Sequence, residues 1–151
     1  MLEKNTNLRG QVQLACLDSL VPEGHLLRKI DKAVDFDRVY DMVSYLYCED
    51  NGRPSVDPVV LVKLVLLQHI YGIKSLRQTV KEADMNIAYR WFVGYGIDTP
   101  IPHFATISYA FANRFPSEVF ENIFTWILEE AMARGFVRPE MIFIDATHIK
   151  A

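Results

Sequence analysis

The chain has few cysteines, no long apolar run and no excess of positive charge, and each shortage narrows what it can be. Two cysteines in 151 residues, Cys16 and Cys48, cannot build a disulfide scaffold and lack metal-ligand spacing. Buried free thiols in a reducing compartment are the expectation. The longest apolar stretch, residues 59–70, is about 12 residues and contains Lys63 and Gln68, whereas a bilayer needs ~20. The N-terminus, MLEKNTNLRGQ, is polar and has no apolar signal core. Together these predict a soluble, cytoplasmic protein with no membrane partner. A P-loop, a dinucleotide fingerprint and a Ser/His/Asp set are all missing, so no small-molecule substrate is expected. His25, His69 and His103 have no ligand spacing. The net charge of −3 argues, taken whole, against a nucleic-acid partner.

The chain does have apolar residues in quantity: half of it is hydrophobic and 23% is charged, which excludes a disordered chain. The charge is also unevenly spread. Residues 1–59 and 115–151 each carry a net of −3, and residues 60–114 carry +3. A phosphate-binding face therefore belongs in the middle third.

The apolar pattern predicts a helical bundle. Pro22 can open a helix over 25–33, with Leu26, Leu27 and Ile30 on one stripe, and Asp35 can cap a second over 36–47. The polar run 49–54 is a turn. Asp57-Pro58 is a cap followed by proline at the first helical position. The helix it opens, 58–71, is apolar nearly all round, as befits the buried centre of a bundle. Ser75 and Gln78 form a capping box for a helix that buries Leu76, Thr79, Val80 and Ala83 and exposes Arg77 and Lys81. A three-residue turn, 84–86, leads to a short helix over 87–93. The pair makes a helix-turn-helix-like segment. Tyr89, Trp91, Phe92 and Tyr95 can stack on bases, but their helical spacing favours core packing. Thr106 caps a helix to about 115, and Ser117 caps a long helix to 134, closed by Gly135. Met141-Ile142-Phe143-Ile144 reads as one buried strand. Asp145 ends that strand. Taken alone it is more simply a cap than a metal ligand, because two-metal chemistry needs several carboxylates and none follows it here.

Three stretches carry a resemblance: GRPSVDPVVLVKLVLLQHIYGIKSLRQTVKEADMNIAYRWFVG, PIPHFATIS and MIFIDATHIKA. Together they resemble the N-terminal region of bacterial insertion-sequence transposases of the DDE class with an InsH-type N-terminal domain, over about residues 20–151. The resemblance implies a helical N-terminal domain followed by a ribonuclease-H-like catalytic domain whose first strand ends at the first catalytic, metal-binding aspartate, here Asp145. It implies DNA binding at the terminal inverted repeats of a transposon and Mg²⁺-dependent strand transfer by the complete enzyme. The second Asp and the Glu of that triad have no counterpart in this chain. The fold expectation is therefore mainly α: residues 1–21 as a loose lead-in, 22–136 as the helical domain, and 137–151 as the first β-strand of a truncated catalytic domain. The expected fragment is not catalytically competent alone and holds no metal of its own. Its DNA contacts fall on Lys74, Arg77, Lys81 and Arg90, with Arg114 a lesser addition. Two other readings stay open: a dimerisation module, pairing with itself or inhibiting full-length transposase, and a helix-turn-helix regulator.

Overall fold

The structure, a computed structural model, describes residues 7–47 and 55–138. Eight α-helices follow one another, with no strand among the described residues. They are α1 (Leu17–Leu20), α2 (Leu26–Ala33), α3 (Arg38–Val43), α4 (Pro58–Ile70), α5 (Leu76–Met85), α6 (Ile87–Val93), α7 (Phe104–Asn113) and α8 (Ser117–Ala133). One 3-10 turn, Ser44–Leu46, extends α3. The chain is thus mainly helical, as its apolar periodicity requires. Cys48, the 49–54 turn, the 141–144 run, Asp145 and His148 lie outside the described residues.

Helix α4 is the centre. The Asp57 carboxylate accepts the Val59 N–H at 2.7 Å, and Pro58 needs no partner for the N–H it lacks. Leu61, Leu64 and Leu67 are fully buried, and Val60, Val62 and Leu66 nearly so. A helix apolar on every side is stable only if covered on several, and α3, α5 and α6 all pack on it. Its lysine, Lys63, reaches Asp31 of α2 at 2.6 Å and lies over the Phe36 and Phe92 rings at 4.5 and 4.9 Å. A cation on a mostly buried helix is tolerated because it is paired and because aromatic faces carry negative charge density.

Helices α5 and α6 are set by their caps. The Ser75 hydroxyl accepts the Gln78 N–H at 3.2 Å, but the Gln78 amide donates to Glu82 instead of reaching back, so half the expected capping box forms. Asn86 alone joins the two helices. Its side-chain oxygen accepts from the N–H groups of Ala88 and Tyr89 at 2.9 and 3.1 Å. The turn is tighter than the three residues expected, because one asparagine both ends α5 and caps α6. Gly94 then stops α6 at φ +86°, a conformation without Cβ penalty for glycine.

Several boundaries differ from the sequence reading. Asp35 does not cap α3; its carboxylate accepts the Asp37 N–H in a tight turn, with Phe36 buried, and α3 begins at Arg38. Helix α7 begins two residues before Thr106, because the His103 ring nitrogen accepts the Ala105 N–H at 3.3 Å. Ser117 is the first residue of α8 and Pro116 precedes it at the cap position. Cys16 is exposed, not buried. The lead-in includes α1, which packs on α6. Asp18 of α1 accepts the Trp91 indole N–H at 2.7 Å and pairs with Arg28 at 3.1 Å. The first of these bonds, then the second, hold its carboxyl below the usual range. No described helix is long and apolar enough to cross a membrane.

Candidate nucleic-acid interface

The basic middle third contains six cations, and the fold divides five of them into two groups and sets Arg114 apart. Lys63 is taken up by Asp31 and two aromatic faces. Arg90 is buried, which no spacing argument anticipates for a charged residue on a seven-residue helix. Its guanidinium donates to the backbone carbonyls of Asp84 (2.8 Å), Gly96 (2.6 Å) and Thr99 (2.7 Å), and to the Asp84 carboxylate (2.7 Å). Four of its five donors are used in one buried place, which matches the rigid fork of arginine and leaves little of it to meet a phosphate. Arg90 therefore ties the end of α5 to the loop after α6 and drops out of the expected phosphate face.

Lys74, Arg77 and Lys81 form the second group. All three are exposed, and none has a carboxylate within salt-bridge distance among the described residues. Arg77 and Lys81 are one turn apart on α5, and Lys74 immediately precedes its Ser75 cap. Of the two acids of α5, Asp84 is paired with Arg90, whereas Glu82 accepts only from the neutral Gln78 amide and keeps its charge. This side of the molecule thus keeps a net positive charge, three exposed cations with no ion pair against the one carboxylate of Glu82. Arg77 also stacks on Phe104, its guanidinium 5.0 Å from the ring centroid, which brings α5 against the start of α7. The sequence reading missed this platform because it placed 104 outside the helix.

Arg114 stands apart, half-buried at the C-terminal end of α7, with its guanidinium 4.7 Å over the Tyr47 ring. Burial pushes the Tyr47 hydroxyl above the ordinary tyrosine range. Of the aromatic cluster, Tyr89 and Phe92 are buried and Tyr95 is half-buried, which is core packing. Trp91 is half-buried under Arg28, at 4.5 Å. The helix-turn-helix-like pair therefore offers α5 to solvent, while α6 is mostly core. His69 ends α4 exposed, its ring 6.4 Å from that of Phe124. Among the described residues no group of three or more His, Cys, Asp or Glu stands together as a metal site. Asp145 lies outside them.

An apolar groove of about 360 Å³ opens between α2, α4 and α8. Leu26, Ile70, Leu128 and Phe136 stand exposed along it.

Residues 15–113 match the family model described as Transposase domain (DUF772). No curated protein and no solved structure matches the chain.

Proposed function

The chain belongs to the Transposase domain (DUF772) family, and from that premise we propose that it is the DNA-binding helical domain of a DDE transposase and engages the terminal inverted repeats of its transposon. The observation that supports this is the α5 side: Lys74, Arg77 and Lys81 exposed together, none in a salt bridge among the described residues, with the Asp84 carboxylate already paired with Arg90. Exposed cations without an ion-pair partner fit the phosphate backbone, where each contact releases a condensed counterion. They fix position on the duplex and carry no sequence information themselves. In this reading residues 22–136 form the helical domain and residues 137–151 the first strand of a ribonuclease-H-like domain, with Asp145 as its first metal-binding carboxylate. Mg²⁺ would then serve the catalytic domain of the complete enzyme.

The test is fluorescence anisotropy of a labelled duplex against salt concentration. Three phosphate contacts predict a log–log slope of about −3 for the wild-type chain, falling towards zero for the Lys74→Ala/Arg77→Ala/Lys81→Ala variant. Equal affinity and slope in the two proteins would rule out this face. The apolar groove supports a second role beside the first, contact with another transposase copy, because Leu26, Ile70, Leu128 and Phe136 are exposed together. Light scattering of the wild type and a Leu26→Lys/Leu128→Lys variant, with and without DNA, tests it: a dimer is expected only for the wild type.

A further inference from the structure

We propose that α7 is the helix that reads base edges, with Tyr109, Asn113 and Thr106 as its sequence-discriminating side chains. This rests on the DNA-binding reading above and assigns what the α5 cations cannot supply.

The composition of α7 is the first reason. It is the one helix among those described that contains no Asp, Glu, Lys or Arg. Yet more than half of it is not core: Ala105, Thr106, Ser108, Tyr109, Ala112 and Asn113 are all exposed, Tyr109 by 69%. At about 100° per residue these six occupy an arc of roughly 160°, while Ile107, Ala110 and Phe111 face inward. An exposed arc of that width usually carries charge, as α8 does with Glu118, Glu121 and Glu129. Here it carries hydroxyls, an amide and methyl groups. These are the groups that pair with base edges, and no carboxylate is present to repel the phosphates.

The second reason is what borders the arc. On one edge, beside Ser108, Phe104 holds the Arg77 guanidinium. On the other, a recess of about 470 Å³ is lined by Ser55, Thr106, Tyr109, Asn113 and Arg114. Arg114 closes that edge and, like Arg77, has no carboxylate partner among the described residues. An uncharged helix face with an arginine on each side matches a groove floor of bases between two phosphate walls. With ten residues the helix is ~15 Å long, and the major groove of B-DNA, ~12 Å wide, admits a helix of this kind. A protein partner would be better served by large apolar side chains, and the arc has none apart from the tyrosine ring.

Asn113 has the most specific chemistry. One of its amide hydrogens is donated to the Tyr109 carbonyl at 3.0 Å, which fixes the side chain on the arc. The amide oxygen and the second N–H remain, the pair that matches adenine N6 and N7.

The experiment starts from a duplex pool randomised over twenty base pairs, from which the full chain selects its preferred sequence. Affinity is then measured for the selected duplex and for the unselected pool, using wild type, the Asn113→Ala, Tyr109→Phe and Thr106→Ala variants, and the triple α5 variant. The α7 variants should lower the ratio of the two affinities about 10-fold, the discrimination of one good base contact, while affinity for the unselected pool stays within twofold. The α5 variant should weaken both duplexes alike. No enrichment from the pool, or an unchanged ratio in every α7 variant, overturns the assignment of α7 and leaves salt-dependent binding through α5 intact. Loss of dimer mass by light scattering in those variants, with the ratio unchanged, would assign the face to protein contact instead. Binding indifferent to the α5 variant overturns the DNA-binding reading itself.

Discussion

Replacing Arg90 by methionine separates a phosphate contact from a structural tie, because the two roles predict opposite outcomes. Methionine keeps much of the length and apolar bulk and removes every donor. The wild-type guanidinium serves three backbone carbonyls and one carboxylate. The side chain of Asp84 is 51% exposed, so its ion pair is screened and contributes less than about 1 kcal/mol. The carbonyl bonds matter more: a hydrogen bond to a charged group contributes roughly 1.5–3 kcal/mol when buried. Gly96 and Thr99 belong to an exposed loop, where water replaces part of what is lost. The net cost is then about 3 kcal/mol. For a chain of this length that lowers Tm by roughly 6–12 °C. Circular dichroism at 222 nm measures the melt, and anisotropy at a temperature where the variant is still folded measures DNA affinity. A structural Arg90 gives the lower Tm with an unchanged salt slope. A Tm within 3 °C of wild type, together with a slope reduced by about one, would refute the reasoning and return Arg90 to the phosphate face.

Other perturbations follow from the same contacts. Leu64→Ala removes a fully buried side chain from the central helix, and urea denaturation should show a loss of about 2–5 kcal/mol, the range set by how far the surroundings collapse. Asn86→Ala unsatisfies the Ala88 and Tyr89 N–H groups at once and should cost ~1–2 kcal/mol in the same assay, whereas Asn86→Gly costs only a few tenths. Tyr40 is pushed up to about 12 by burial and by its 2.7 Å bond to the Asp57 carboxylate. Its folded state holds the proton more tightly than the unfolded chain, so the contribution is complete below pH ~10 and is lost as the pH rises through 12. Urea melts at pH 9 and 11 should therefore differ more for wild type than for Tyr40→Phe, and an equal difference would remove Tyr40 as the cause.

Much of the fold was legible before any coordinates. The 3.6-residue periodicity and the apolar run at 59–70 predicted the bundle and its centre, because a helix that is apolar all round has only one stable environment. Asp57-Pro58 and Ser75 were readable as caps because a short polar side chain can satisfy an N–H two or three residues on, whatever lies farther away. His103 was missed: histidine is an uncommon cap, and its ring nitrogen serves that role only when turned toward the N–H two residues on, as His25 is at the start of α2. The expected cap at Thr106 then concealed Phe104, and with it the meeting of α5 and α7.

The candidate site was legible in part. Counting charge by segment located the basic third and named all five cations of the expected face, since net charge per segment is a property of sequence alone. It could not separate Lys74, Arg77 and Lys81 from Arg90, because all four occupy similar positions in a string of letters. Whether a guanidinium faces solvent or is consumed by carbonyls depends on where the loop over 94–99 returns, and no local pattern encodes that return. The same holds for the uncharged face of α7. Its composition is visible in the sequence, but the cations at its two edges come from α5 and from the end of α7, and only packing brings them to either side. Sequence by itself determined the elements and the sign of the charge, because both arise from residues near one another along the chain. Tertiary structure decided which charges are free, because that depends on contacts between residues that are remote in the chain or reach one another only around a turn.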